Sequence, residues 1–404
     1  MPRYSNIDIA IGERIRIRRL LRGWSIRHAA SRAGISHASW SRIERGLQAF
    51  DNRFVIADIA TALECAPVEL TGVLVPAADL RASAAQAGVR ALREALVSVA
   101  PSEPGGTTDR DLAELRQQMS SVRDLRERCD YAAAVRLLPG LLRHSHAQVG
   151  GPTREGALRV LREACFVAYS SLNALGHPAE AWLAAERCHE VAGAIGDKLL
   201  MGFAAYARAC AATACGSFSR GRTLAEDAID LLEPLSGRPG VIEVVGQLHL
   251  SCGYSYSGLR RNEESGDHMA AAINLGQRVG ESKAFGLFFG PTNVNIWRMA
   301  RANDSGEPAR AVNISEETNP AILGAAMRIA DFHIELARAY GRLKGREGDA
   351  ARQLLAAERL APQHLHTSSI ARETARHLIT KRLSRSNASA MKRLCGRMGV
   401  AVSC

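Results

Sequence analysis

Within the ten residues from Ser36 to Arg45 the chain sets Ser36, His37, Ala38, Ser39, Ser41, Arg42 and Arg45 around one apolar pair, Trp40 and Ile43. The set offers two guanidinium groups, three hydroxyls and an imidazole. Its chemistry is recognition: long cations bond phosphates or the edge of a guanine, and short hydroxyl donors reach phosphate oxygens or base edges. Arg42 suits a base edge, with a phosphate as the alternative. His37, at the start of the segment, suits a DNA contact, with a capping role as the alternative. Trp40 suits the core.

Such a set needs a rigid element to present it. Ser25, after Gly23 and Trp24, suits the N-cap of a short helix with Ile26, Ala29 and Ala30 facing inward. Gly34 accepts the positive φ of a tight turn. Ser36 then caps a second helix in which Trp40 and Ile43, three apart, form the apolar face, and Gly46 ends it. Two short helices joined by a glycine-containing turn make a helix-turn-helix, with His37, Ala38, Ser41, Arg42 and Arg45 outward.

Residues 11–70 resemble the lambda-repressor-like (XRE) helix-turn-helix domain, a five-helix DNA-binding module. IGERI, RGWS, AGISHASWSRIERG and FVIADIATALECAPVEL carry the likeness, the last with Ile56, Ile59, Ala60 and Leu63 as core. The resemblance implies DNA contacts from Arg27, Ser36, His37, Ala38, Ser39, Ser41, Arg42 and Arg45. It also implies a structural ion pair between Arg19 and Glu44, of the buried kind that fixes geometry more than it adds stability. Two positions depart from the pattern: Ile26 stands where Gln is usual, so that Arg27 is left to replace one backbone contact, and Arg18 stands where an apolar residue is usual.

Beyond residue 75 the chain changes character. Residues 76–109 read as a connector: a helix with Leu80, Val89, Leu92, Leu96 and Val99, then the break PSEPGGTTD, which promises few packing contacts. From 110 to 367 a turn glycine followed by a small-residue helix recurs at Gly176, Gly216, Gly258, Gly306 and Gly345, with spacings of 40, 42, 48 and 39. Periods in this range mean stacked helical hairpins. The clearest unit holds Leu336, Ala337, Tyr340, Ala350, Leu354, Ala357 and Pro362, and resembles a tetratricopeptide repeat. Residues 368–404 read as basic capping helices. The expected fold class is therefore all-α, a five-helix head followed by a tetratricopeptide-like solenoid. LGHPAEAWLAAERC, FGPTNVNIWRM and LAPQHLHTSSIARE extend the resemblance to actinomycete regulators of that layout, and more distantly to Gram-positive peptide-sensing regulators.

That resemblance implies a concave ligand face. Candidates for it are Arg208, the one cation in an apolar helix; Tyr256, with Cys252 beside it; Asn293; and Asn295 with Arg298, three apart on one helix face. Asparagine amides offer a donor and an acceptor to an extended peptide backbone, although Asn293 also suits a helix start.

Bulk composition narrows the function. The net charge is +11, with +4 in residues 1–70, +7 in 369–404 and none in 71–368, so a basic head and tail flank a neutral middle, an argument for a polyanionic partner. Nine scattered cysteines form no CxxC pair and read as reduced packing residues, with no metal site or cofactor expected. No GxxxxGK[ST], HExxH or dinucleotide fingerprint is present, and GYSYSG at 253–258 sits in a helical repeat where a nucleophile elbow needs a strand. The pairs His144/His146 and His364/His366 read as surface histidines. The expected protein is a cytoplasmic, nucleoid-associated, homodimeric DNA-binding regulator with no catalytic activity and no membrane partner. Its repeat body senses a small effector or short peptide, as in quorum sensing. The alternative is a non-catalytic interaction scaffold tethered to DNA by its head.

Overall fold

A computed structural model describes residues 11–72, 80–103 and 105–400; residues 76–79 of the expected connector and Cys404 lie outside them. Among the described residues there are 21 α-helices and no strand. The head holds α1 (Ile11–Leu21), α2 (Ile26–Arg32), α3 (His37–Glu44), α4 (Arg53–Ala62) and α5 (Pro67–Thr71). Next come α6 (Leu80–Ser98) and the hairpins α7 (Leu112–Glu127) with α8 (Tyr131–Ala147), α9 (Arg154–Ala174) with α10 (Pro178–Ile195), α11 (Lys198–Ala214) with α12 (Phe218–Leu232) and α13 (Val241–Gly258) with α14 (Asn262–Val279). The series closes with α15 (Pro291–Asp304), α16 (Pro308–Glu316), α17 (Ala326–Arg342), α18 (Glu347–Leu360), α19 (Pro362–Thr367), α20 (Ser369–Ile379) and α21 (Arg385–Arg397). None of the described helices is long and apolar enough to cross a membrane.

The chain forms two compact units that do not follow chain order. The first combines the described part of 1–83 with 299–317 and 330–404; the second comprises 84–298 and 318–329. Within the first unit, Ile11, Ile15, Ala29, Ala30, Trp40, Ile43, Phe54, Ile56, Ile59, Ala60, Leu63 and Leu70 are buried, and they recur at helical spacing on the inward face of each helix. Ile26, expected to face inward, is only half-buried. Arg18 keeps its unusual place because it is not in the core: its Nη2 lies 2.7 Å from Glu69 Oε2 at the start of α5.

The same unit contains a buried ionic network that ties the loop after α3 to the late helices. Arg338 on α17 is fully buried, with Nη2 2.6 Å from Asp304 Oδ1 and Nη1 2.6 Å from Glu335 Oε2. Arg53, at the start of α4, lies 3.0 Å from Asp304 Oδ2 and 2.8 Å from Glu335 Oε1. Asp51 pairs with Arg338 and Arg342, and the Asn52 amide donates to the Asp304 carbonyl at 2.7 Å. Three carboxylates thus meet three guanidinium groups, which leaves no net charge to desolvate. Burial alone would raise the Asp304 pKa, but Arg338 and Arg53 outweigh it and hold it at about 2. Further on, α21 seats Met391, Leu394 and Cys395 in the core, and Arg397 Nε lies 2.6 Å from Glu358 Oε1 on α18.

In the second unit small residues let paired helices approach closely. Ala181, Ala184, Ala185 and Cys188 on α10 and Ala204, Ala207 and Ala211 on α11 are fully buried. Four of the five repeat glycines take positive φ: Gly176, Gly216, Gly306 and Gly345. Gly258 does not. It ends α13, where a Cβ would lie 2.5 Å from the Phe218 ring, and Arg260 takes the left-handed turn at φ 63° instead. That glycine is needed for closeness, not for conformation.

Two expectations fail here for want of partners visible in sequence. The segment after α6 is pinned, because His146 is buried with Nε2 2.8 Å from the Ala100 carbonyl, Thr108 Oγ1 meets His144 Nδ1 at 2.9 Å, and Gln148 bonds the Arg110 carbonyl. Nor are the paired histidines simple surface groups: His364 Nε2 lies 2.7 Å from Asp331 Oδ1 and the buried His366 3.1 Å from Glu358 Oε1.

Candidate nucleic-acid interface

Local sequence builds the interface. Ser25 caps α2, its side chain accepting from the His28 amide at 3.1 Å, and Ser36 caps α3 by accepting from the Ser39 amide at 3.1 Å. Gly34 turns the chain between them at φ 64°. Trp40 is fully buried and its indole N–H donates to Glu44 Oε1 at 2.6 Å. The same carboxylate grips Arg19 through two bonds, at 2.6 Å from Nε and 2.9 Å from Nη2, while Arg19 Nη1 donates to the Trp24 carbonyl at 2.7 Å. Hydrogen bonding to Glu44 raises the Arg19 pKa. A planar, two-bonded guanidinium fixes the roll of α3 against α1 and the turn before α2.

That lock leaves the opposite face of α3 open. Ser36, His37, Ala38, Arg42 and Arg45 are exposed, Ser39 and Ser41 are half-buried, and Arg27 is exposed on α2. Arg45 Nε donates to the Ser41 carbonyl at 3.2 Å, which lays its side chain along the helix. Arg42 Nε reaches Gln48 Oε1 at 3.4 Å and borders a cavity of about 610 Å³ that Gln48, Arg342, Lys344, His377 and Lys381 also line. The gathering of Arg42, Arg342, Lys344 and Lys381 beside α3 is not legible in sequence, since it joins residues about three hundred positions apart. A long cation on a short helix with its own backbone satisfied matches what a major groove requires: charge near phosphates and bidentate donors near base edges.

The ligand candidates meet partners from their own chain. Arg208 Nε lies 2.8 Å from Glu186 Oε1 and its guanidinium sits 5.7 Å from the Trp182 ring centre. Tyr256 is buried and its hydroxyl bonds Glu226. Asn293 is also buried, accepting from Arg328 Nε at 2.8 Å. Only Asn295 and Arg298 come together as expected: Arg298 Nη1 donates to Asn295 Oδ1 at 2.8 Å, Asn295 Nδ2 donates to Thr318 Oγ1 at 3.0 Å, and both residues are half-exposed.

Residues 10–71 match the family model described as helix-turn-helix domain. The chain thus carries a helix-turn-helix DNA-binding domain at its N-terminus, followed by a long array of helices. No curated protein matches it significantly. Among solved structures it is similar to the crystal structure of Bacillus thuringiensis PlcR in complex with the peptide PapR7 and DNA, at 15% identity over 67% of this chain and 95% of that one, with a TM-score of 0.31. Likeness at that level assigns no residue here to a peptide or DNA contact.

Proposed function

We propose that the protein is a sequence-specific, homodimeric transcription regulator whose α3 enters the major groove and whose repeat body receives a small effector or short peptide. The observation that carries the DNA reading is the exposed row Ser36, His37, Ala38, Arg42 and Arg45 on a helix whose other face is locked by Trp40 and the Arg19–Glu44 pair. Arg42 reads a base edge, while Arg27, Ser39, Ser41 and Arg45 position the head on phosphates. A single head of this size buries too little to be specific alone, which argues for two. The effector contacts centre on Asn295 and Arg298, with Arg208, Tyr256 and Asn293 exchanging internal partners for it. Helix α15 carries Asn295 and Arg298 near its middle and Asp304, which grips the head's Arg53, at its end. Coupling of about 1–3 kcal/mol changes DNA affinity roughly 5–150-fold.

Mapping the DNA bound by the intact protein across its genome tests this reading. It predicts one recovered motif with two-fold symmetry and half-sites about one helical turn, or a multiple of it, apart. Binding with no shared motif, or a monomer by light scattering both free and on the recovered site, overturns it.

A further inference from the structure

Three helices of the second unit converge on a cluster that the DNA-binding reading does not use. Glu226 on α12, Cys252 on α13 and His268 on α14 each present one ligand atom, and these atoms lie within 4.8 Å of one another. The buried Cys252 Sγ is 3.5 Å from His268 Nε2. Around a tetrahedral Zn²⁺, with Zn–S of about 2.3 Å and Zn–N of about 2.0 Å, that separation comes to about 3.5 Å. The two atoms are already spaced as two ligands of one ion.

The surroundings orient the imidazole as a metal site does. His268 Nδ1 lies 2.9 Å from His249 Nδ1, one turn before Cys252 on α13. With the shared proton on His268 Nδ1, its Nε2 lone pair faces the sulfur. A partner on the far nitrogen is what ligating histidines regularly have. The Tyr256 ring stacks on His268 at 5.4 Å and 23°, which holds the ring plane. Glu226 is held by the Tyr256 hydroxyl at Oε1 and by Arg222 at Oε2. An ion that binds one carboxylate oxygen leaves the other for one of those two.

We propose that Glu226, Cys252 and His268 form a Zn²⁺ site with three protein ligands and one open position, and that His249 is its positioning residue. One thiolate, one imidazole and one carboxylate form a donor set suited to Zn²⁺. On binding, a Zn–S bond forms, the Cys252 S–H bond breaks, and its proton passes to solvent. With two anionic ligands the ion's charge is matched, and the Arg222 cation keeps its bond to the remaining Glu226 oxygen. The site shares Tyr256 with the proposed effector contacts but does not depend on Asn295 or Arg298.

The test is titration of the full-length, chelator-treated protein with Co²⁺ and then Zn²⁺. The expected result is a thiolate-to-cobalt charge-transfer band that saturates at one equivalent and is abolished by Zn²⁺. Cys252→Ser removes the band. Glu226→Gln keeps the band and weakens binding, and His249→Gln keeps both band and stoichiometry while lowering affinity about 10–100-fold. Circular dichroism of each metal-free variant separates loss of the site from loss of the fold, and the Glu226 and His249 variants carry the test if Cys252→Ser fails to fold. The proposal is overturned if the intact protein shows no cobalt–thiolate band, if Cys252→Ser keeps it, or if Glu226→Gln and His249→Gln bind as tightly as the parent.

Discussion

The first unit is held by charges with fixed directions, the second by shapes that fit. In the first, Asp51, Arg53, Asp304, Glu335, Arg338 and Arg342 close a neutral network, and the Arg19–Glu44 pair locks α3. In the second, glycines seat against large side chains: Gly246 under the Phe289 ring, Gly202 under Leu232, Gly258 under Phe218. Directed charges hold a helix at one orientation, and reading base edges demands such precision. Packed small residues give a contact surface without imposing one geometry, which suits a body proposed to receive an effector. The difference teaches where each kind of substitution will be felt. Polar changes should act on the first unit through pH and lost pairing, and volume changes on the second through packing alone.

Arg338→Met should produce the largest effect. It removes the only fully buried cation of the network and strands Asp304 and Glu335, a loss of about 3–5 kcal/mol for breaking a buried ion pair. Urea unfolding followed by proteolysis in the α17 region measures it. A cost below about 1 kcal/mol would show that the network is ornament on a fold held by other means.

Acid should separate the units next. Asp304 is held at about 2 by Arg338 and Arg53 against the pull of burial, Glu335 is lowered by the same two, and Glu358 is held at about 2 by His366 and Arg397. Carboxylates with depressed values stabilise fully above about pH 4, their unfolded range, and lose that contribution as pH falls toward 2. Hydrogen exchange at falling pH should therefore show α4, α15 and α17 opening before α9, α10 and α11. Simultaneous opening would contradict the contrast.

Gly246→Ala should have the smallest of these effects. Its Cβ would sit 2.0 Å from the Phe289 ring, and overpacking of this kind costs about 1–3 kcal/mol. Thermal melts at low and high salt check it, since a packing cost is the same in both. A salt-dependent loss would place charge, not shape, at that contact.

What could be read in sequence followed from local rules. Ser25 and Ser36 cap, Gly34 turns and Trp40 with Ile43 packs because each role depends on neighbours a few residues away. The repeat hairpins were legible by their period. What was illegible depends on residues distant in sequence. Arg208 reads as a ligand candidate because its internal partner Glu186 is on another helix, His364 and His366 read as surface residues because Asp331 and Glu358 are out of sight, and the closeness required at Gly258 is set by Phe218. The network that ties Asp51 to Arg338 spans 287 positions. Glu226, Cys252 and His268 show no ligand spacing in sequence at all, because three helices supply one atom each.

The central claim is that the locked helix α3 reads bases through Arg42, and its most direct test compares Arg42→Ala with Arg45→Ala on the recovered operator and on random DNA across a range of salt. The account predicts that Arg42→Ala costs about 1–3 kcal/mol on the operator and relaxes preference at one base pair, while random DNA is little affected. Arg45→Ala should weaken both DNAs about equally and lower the salt slope by about one unit. Equal losses on operator and random DNA for Arg42→Ala would contradict it.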